Sequence, residues 1–272
     1  MKKTLVASSI LWLCTLLSAC YTDKENPSQP TEIEATKNNG EMELSTSPVE
    51  QPKSDSDKQK EPTQQQVLSK VSEQLGSTVN IKLPNQLPLQ KGKYLTATIS
   101  QESNIREITF YSTAQPLPLN DKIINDNSST VEKIAVLRVK NYSTEQVADE
   151  QIGFEDYASI GGEPVDLGHS ITGFQDAGVG QLWTSWNEGR WALATHTYTD
   201  QPELGIELAK RSVEYLESYA LPIPKEHGLI HLNATGDNQY ALWADGKLVY
   251  ELSDIISPDD LLEIAVSFQS AE

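Results

Sequence analysis

The segment 181–198 constrains the fold of this chain more than any other. It contains three of the five tryptophans, Trp183, Trp186 and Trp191, and each indole can bury on the order of 200 Å². Aromatic and β-forming residues fill both halves, and Gly189 ends the short stretch 187–189 that would close a three-residue hairpin loop. We therefore predict a β-hairpin with strands 181–186 and 190–198. Its three indoles are expected to form the interior of the domain beneath covering helices.

A second segment has the same order of features. Residues 243–247 match residues 186–190 in type at four of five positions: a tryptophan, an acid, a glycine and a base. Asp245-Gly246 is a strong signal for a hairpin turn between strands 239–243 and 247–252. The sequence thus predicts two similar hairpins.

A helix is expected after each hairpin. After the first, Asp200 can cap the helix, Pro202 follows in its first turn, and apolar residues recur at helical spacing until the prolines of 221–224. After the second, Ser257 is the expected cap and Pro258 the first helical residue. Each helix therefore begins with the same proline signal.

Shorter patterns of the same kinds precede these segments. They predict one helix at 65–74 and another that begins at a capping box of Ser143 and Gln146 and ends at Gly153. Strands are predicted at 79–83, 94–99, 107–111, 134–139 and 229–232. A loop is predicted at 112–130, and a loop with one short strand at 155–168. Three strands and a helix recur in units of about 94–152, 169–219 and 228–270. The predicted fold class is α+β, with one domain at 65–272 whose antiparallel sheet is built from repeated βββα units and has helices on one face.

The N-terminal residues have the pattern of an export signal. Two lysines precede an apolar run at 5–17, and about thirteen residues are too few to span a bilayer of about 30 Å as a helix. The run ends in Leu-Ser-Ala-Cys at 17–20, which resembles the lipobox of bacterial lipoproteins. This resemblance implies removal of residues 1–19 and lipidation of Cys20, which would anchor the protein to the extracytoplasmic face of the cell membrane. An ordinary signal peptide cut after Ala19 is the alternative, and the number of membranes around the cell stays open.

Residues 20–64 are rich in proline and polar residues and poor in apolar ones. Such a chain buries too little apolar surface to offset the entropy of ordering, so we predict a disordered tether. As a random coil of about 45 residues it would reach roughly 35–40 Å. It would hold the globular domain away from the membrane.

Charge and cysteine content exclude several functions. The formal net charge of −18 argues against nucleic acid and against electrostatic adhesion to anionic lipid. Both cysteines, Cys14 and Cys20, lie in the first twenty residues, so the domain has no disulfide, zinc–thiolate site or cysteine nucleophile.

The C-terminal order of tryptophan strand, acidic-glycine turn, tyrosine strand and helix resembles the end of a family of uncharacterised bacterial envelope proteins, including lipoproteins of Gram-positive bacteria. Segments 83–111, 178–191 and 221–224 are similar to members of this group as well. Some relatives in outline have the half-barrel of lipoprotein carriers of the LolA and LolB kind, which implies a hydrophobic cavity. The resemblance brings no known active site.

The residues with catalytic or metal-binding chemistry form no recognisable motif. The sequence Gly-His-Ser-Ile-Thr at 168–172 lacks the second glycine of a nucleophile elbow. His169, His196, His227 and His231 show no metal spacing, and we expect the last two to point to different faces of a strand. We predict no catalytic residue, metal site or cofactor.

Three functions remain after these exclusions. The first is a non-enzymatic module that binds an apolar ligand or an envelope protein on a concave sheet face. The second is a cell-wall or glycan-active hydrolase that uses a carboxylate pair roughly 5–9 Å apart. A sugar could stack on the tryptophans, although their hairpin spacing favours core. The third is a purely structural envelope component.

Overall fold

The computed structural model describes residues 61–77, 79–125, 131–236 and 238–268, which all belong to one compact unit. The signal 1–19, the lipidation site Cys20 and nearly all of the tether 20–64 lie outside the described residues, so they stay predictions. Within the described ranges, no helix has the length and apolar content needed to cross a membrane.

The described residues form ten strands, five α-helices and one turn of 3-10 helix, Lys122–Asn125, within the predicted loop 112–130. The strands are β1 (Tyr94–Glu102), β2 (Ile105–Thr113), β3 (Val131–Asn141), β4 (Glu163–Asp166), β5 (Thr172–Gly178), β6 (Gln181–Glu188), β7 (Trp191–Tyr198), β8 (Gly228–Asn233), β9 (Gln239–Asp245) and β10 (Leu248–Ile255). The helices are α1 (Gln64–Leu75), α2 (Glu145–Asp149), α3 (Tyr157–Ile160), α4 (Pro202–Ser218) and α5 (Pro258–Val266). The sheet-rich α+β class predicted from the sequence is confirmed.

All ten strands belong to one sheet, in the order β1-β2-β3-β10-β9-β8-β7-β6-β5-β4. Neighbouring strands are antiparallel except β7 and β8, which are parallel, so the prediction of a fully antiparallel sheet is wrong at this pair. The reason is the connection between them. Helix α4 carries the chain back to the end where β7 began, and a crossover of this kind joins parallel strands.

One face of the sheet, which we name the first face, carries the main core. Helices α1, α4 and α5 pack on it against β1, β6–β7 and β9–β10 respectively. Its largest fully buried side chains include Trp186, Tyr250, Phe110 and Ile230. The predicted strand 79–83 forms no strand. Instead, the backbone N–H of Lys82 donates to the Tyr250 hydroxyl at 3.0 Å, so the apolar alternation there reflects packing against the core and not sheet pairing.

The opposite face, the second face, is partly covered by the two shortest helices. Helix α2 and Ile152 form a small apolar cluster with Ala244 and Val249 of β9 and β10, and α3 contacts β5 and β6. The prediction that all helices lie on one face is therefore wrong for α2 and α3. Both are one-turn elements, too short to show the apolar stripe that reveals a packing face in a sequence.

The two hairpin turns agree with each other but differ from the predicted loop. Glu188 pairs directly with Trp191, so the first turn has two residues and not three, and Gly189 has a φ of 58°. Asp245 pairs with Leu248 in the same way, and Gly246 has a φ of 65°. Glycine is needed at both positions because a left-handed φ strains other residues.

Of the five predicted start signals for α2, α4 and α5, the two cap residues Ser143 and Asp200 are wrong, and the other three, Pro202 among them, are confirmed. Ser257 caps α5, and Pro258 opens it. Helix α2 is capped by Thr144 and not by Ser143. Helix α4 begins after Gln201 without a side-chain cap, so Asp200 does not cap it.

Candidate functional site

The second face carries a groove, which we name the aromatic groove, of about 540 Å³. Strand register explains its floor. One row across β5 to β9 contains Phe174, Ser185, Ala194, His231 and Tyr240, each paired with the next. The two small side chains at Ser185 and Ala194 are buried and lie between rings, because directly paired residues project from the same face. The sheet therefore forms a trough with rings on both sides.

Trp183 lies in the neighbouring row of the same face and also lines the groove. Its ring centroid is 4.6 Å from that of His196 and 4.5 Å from that of His231. Trp186 and Trp191 are buried in the core, which confirms the prediction of interior indoles for these two. The prediction is wrong for Trp183, which is only half-buried. Residues 183 and 186 are an odd number apart, and strand side chains alternate between faces.

Helix α3 and the residues around it form one wall of the groove. The Asn187 side chain holds this segment: its Oδ1 accepts from the Tyr157 backbone N–H at 2.9 Å and its Nδ2 donates to the Glu155 carbonyl at 2.8 Å. On the other side, Phe154 stacks on His227 with ring centroids 4.2 Å apart. The wall is thus fixed to the sheet at two points.

The chain after α3 passes very close to β5. A Cβ added to Gly162 would lie 2.7 Å from the Gln175 carbonyl oxygen, and Gly162 has a φ of 138°. Both the contact and the backbone conformation require glycine at this position. The close approach brings Gly161 and Gly162 into the groove lining.

The charged residues that line the groove are both acidic. Glu155 and Asp176 line it together with the rings, and both are exposed to solvent. Among the described residues, neither carboxylate has an ion-pair partner, whereas the next depression along this face, beyond Tyr240, has its acids paired with basic groups. Burial, and in second place the negative charge of Glu155, raises the pKa of Tyr157. The groove is therefore aromatic and negatively charged.

His231 is the least satisfied polar group in the groove. Its Nε2 is buried and has no hydrogen-bond partner among the described residues. Burial, and in second place the nearby His196, lower the pKa of His231 to about 4. At neutral pH the ring is therefore uncharged, and its centroid lies 4.5 Å from that of Trp183 and 4.9 Å from that of Tyr240.

This pKa predicts a pH-dependent stability. Because the native state binds the His231 proton only near pH 4 and the unfolded chain binds it near pH 6.5, the native state is favoured above pH 6.5 and loses stability as the pH falls from 6.5 towards 4. We expect a loss of about 2 kcal/mol, after allowance for partial exposure of the ring. The measurement is urea unfolding at pH 7.5 and pH 4.5 for the parent chain and His231→Gln. Equal pH dependence in the two proteins would contradict the assignment.

The other candidate residues from the sequence do not assemble into a site. The stretch 168–172 forms a turn between the antiparallel strands β4 and β5, with no helix after it, so no nucleophile elbow exists there. His169 bonds to Glu214 on the surface at 2.7 Å. The backbone of His227 bonds to that of Ala244, and its ring bonds to Asp149 of α2 on the second face. His231 lies on the same face, so the prediction of different faces is wrong. Within the described residues, no group of three potential ligands is arranged for a metal.

Comparison of the chain with known protein families, with curated proteins and with solved structures gave no match.

Proposed function

We propose that this protein is a lipid-anchored, extracytoplasmic binding protein without catalytic activity, and that its ligand occupies the aromatic groove. The observation that carries the proposal is the trough of buried Ser185 and Ala194 between half-buried rings. Side chains that serve only as core become fully buried, as Trp186 is. Concave sites of a few hundred Å³ with aromatic walls and a few polar groups are typical of small-molecule binding.

The proposed ligand site lies away from the space between the sheet and its three main helices. Leu193, Val213, Ile230 and Ile264 in that layer have no exposed surface, so it is packed as core. A carrier of the LolA and LolB kind would hold an apolar ligand there. We therefore place the binding role on the second face, and the half-barrel outline stays a resemblance.

The proposal predicts that Trp183→Ala removes binding without unfolding the protein. Fragments found by saturation-transfer NMR on the parent chain should lose at least tenfold in affinity, because the ring that contacts the ligand is gone. Tyr219→Ala is the matched control, since Tyr219 is an exposed ring, 55% accessible, outside the groove. Fragments that bind the Trp183→Ala protein as tightly as the parent would overturn the proposal.

A second candidate, a glycan-active hydrolase, is favoured by one observation. The groove brings Glu155 and Asp176 beside Trp183, and such an enzyme requires two carboxylates at a sugar-binding surface. Both acids are exposed, whereas a general acid is normally kept protonated by a less solvated site. Release of reducing sugar from cell-wall glycan by the parent chain, lost in Glu155→Gln and Asp176→Asn, would establish the enzyme and exclude the binding role.

We also propose that segments 169–219 and 228–270 are two copies of one βββα unit. Their hairpins have the same two-residue turn, and their helices begin with Pro202 and Pro258. In each unit the first and third strands run in the same direction. When two such units lie side by side in the same orientation, the last strand of one is parallel to the first strand of the next, and this contact is the β7–β8 pair. The unit 94–152 fits less well, because its helix α2 lies on the second face.

The membrane anchor rests on the lipobox resemblance at residues 17–20. Cys20→Ser should release the protein from the membrane fraction. Metabolic labelling with a clickable palmitate analogue checks lipidation directly, and a labelled Cys20→Ser protein would contradict the anchor.

A further inference from the structure

The charges and rings of the aromatic groove restrict the chemistry of its ligand. Among its lining residues, Glu155 and Asp176 are the charged ones at neutral pH, and no lysine or arginine is present. The chain as a whole carries −18. A site with this charge repels anions and concentrates cations.

The rings restrict the ligand further. Tyr157, Phe174, Trp183 and Tyr240 line the same groove as the two carboxylates. The face of an aromatic ring is electrostatically negative, so it attracts a cation, and the attraction grows as the cation is separated from water. Small metal ions hold their water strongly and need several oxygen ligands. An ammonium group that carries alkyl substituents gives up water more readily and presents an apolar surface to the rings.

The acids on this face are not all available for such a ligand. In the depression beyond Tyr240, Lys133 binds Asp254 at 2.7 Å, and Arg138 binds Glu251 at 3.0 Å. Those carboxylates already have cations beside them. Among the described residues, Glu155 and Asp176 have none within ion-pair distance, and a bound cation would supply the missing charge.

We propose that the aromatic groove binds an alkyl-substituted ammonium group, with the rings around the alkylated nitrogen and Glu155 and Asp176 as counter-charges. This inference rests on the proposed binding function and names the ligand class for that site. The ammonium group belongs either to a free small molecule or to a modified lysine side chain.

The test compares choline with 3,3-dimethyl-1-butanol, which has the same shape but a carbon in place of the charged nitrogen. Binding to the purified chain is followed by NMR or calorimetry. We expect choline to bind at least tenfold more tightly than the alcohol. Asp176→Asn and Glu155→Gln should each weaken choline about five- to tenfold and leave the alcohol unchanged. Glu207→Gln, an exposed acid on α4 away from the groove, controls for the change in net charge.

The outcomes separate the two proposals. If the alcohol binds as tightly as choline and Trp183→Ala abolishes both, the groove is a binding site but the ammonium inference is wrong. If choline binds and Trp183→Ala has no effect, the site is elsewhere and both proposals are wrong. If neither probe binds at millimolar concentration and an acetylated trimethyllysine amide also fails, the ammonium inference is overturned. Binding of the trimethyllysine amide alone would identify the source as a modified side chain.

Discussion

Trp186→Ala is expected to lower the free energy of unfolding by about 3–5 kcal/mol, the usual cost of deleting a large aromatic side chain from a core. Trp186 is fully buried on the first face, and its Nε1 donates to Glu188 Oε1 at 2.8 Å. Burial already raises the pKa of Glu188, and truncation of the indole would leave this carboxylate without its donor. Urea unfolding followed by far-ultraviolet circular dichroism measures the change.

Trp183→Ala is the matched control because both tryptophans belong to β6. Trp183 faces the groove and is half-buried, so its loss should cost about 1 kcal/mol. The two variants should therefore separate stability from binding: the first loses stability, and the second loses ligand affinity. Equal destabilisation by the two would mean that Trp183 is core and that the second face has no open groove at its ring.

Gly228→Ala is expected to destabilise the protein by about 3 kcal/mol, at the upper end of the range for an overpacked core. A Cβ at this position would lie 2.4 Å from Trp191 Cε3, inside van der Waals contact. The indole cannot easily move away, because Trp191 Nε1 donates to the Pro222 carbonyl at 3.0 Å and its ring lies beside Trp243. Gly178→Ala is the control, since a Cβ there meets no atom within 4 Å.

A double variant identifies the cause of that loss. Trp191→Leu removes the ring atoms that the new methyl group would touch. We expect Gly228→Ala with Trp191→Leu to be more stable than the sum of the two single effects by at least about 1 kcal/mol, as for residues in direct contact. Additive effects would show that Gly228 is required for a reason other than the ring.

The parts of the fold that depend on local sequence were predictable. The turn glycines and the proline starts of α4 and α5 are set by backbone conformation over a few residues, and the structure has them. The predictions were wrong where two neighbouring side chains could cap the same helix, as at the start of α2, where Thr144 is the cap and not Ser143. An alternation of apolar and polar residues can also arise in two ways. At 79–83 it reflects the packing of alternate side chains on the core, without strand pairing.

The groove could not be predicted because it depends on long-range register. Ala194 and His231 meet only through the parallel β7–β8 pair, which α4 separates in the chain. Tyr157 and Phe174 belong to segments whose sequences read as loop or as a lead into the hairpin. One signal was present in the sequence: the odd spacing of Trp183 and Trp186 places them on opposite faces of any strand. That spacing alone would have placed one indole outside the core.

The most direct test of the division between a core face and a groove face is paramagnetic broadening of the tryptophan indole N–H signals by a soluble nitroxide. With ¹⁵N-labelled tryptophan and assignment by single substitutions, the signal of Trp183 should broaden strongly, while those of the buried Trp186, Trp191 and Trp243 should stay sharp. If Trp183 is as protected as these three, the groove is closed and the binding proposal fails.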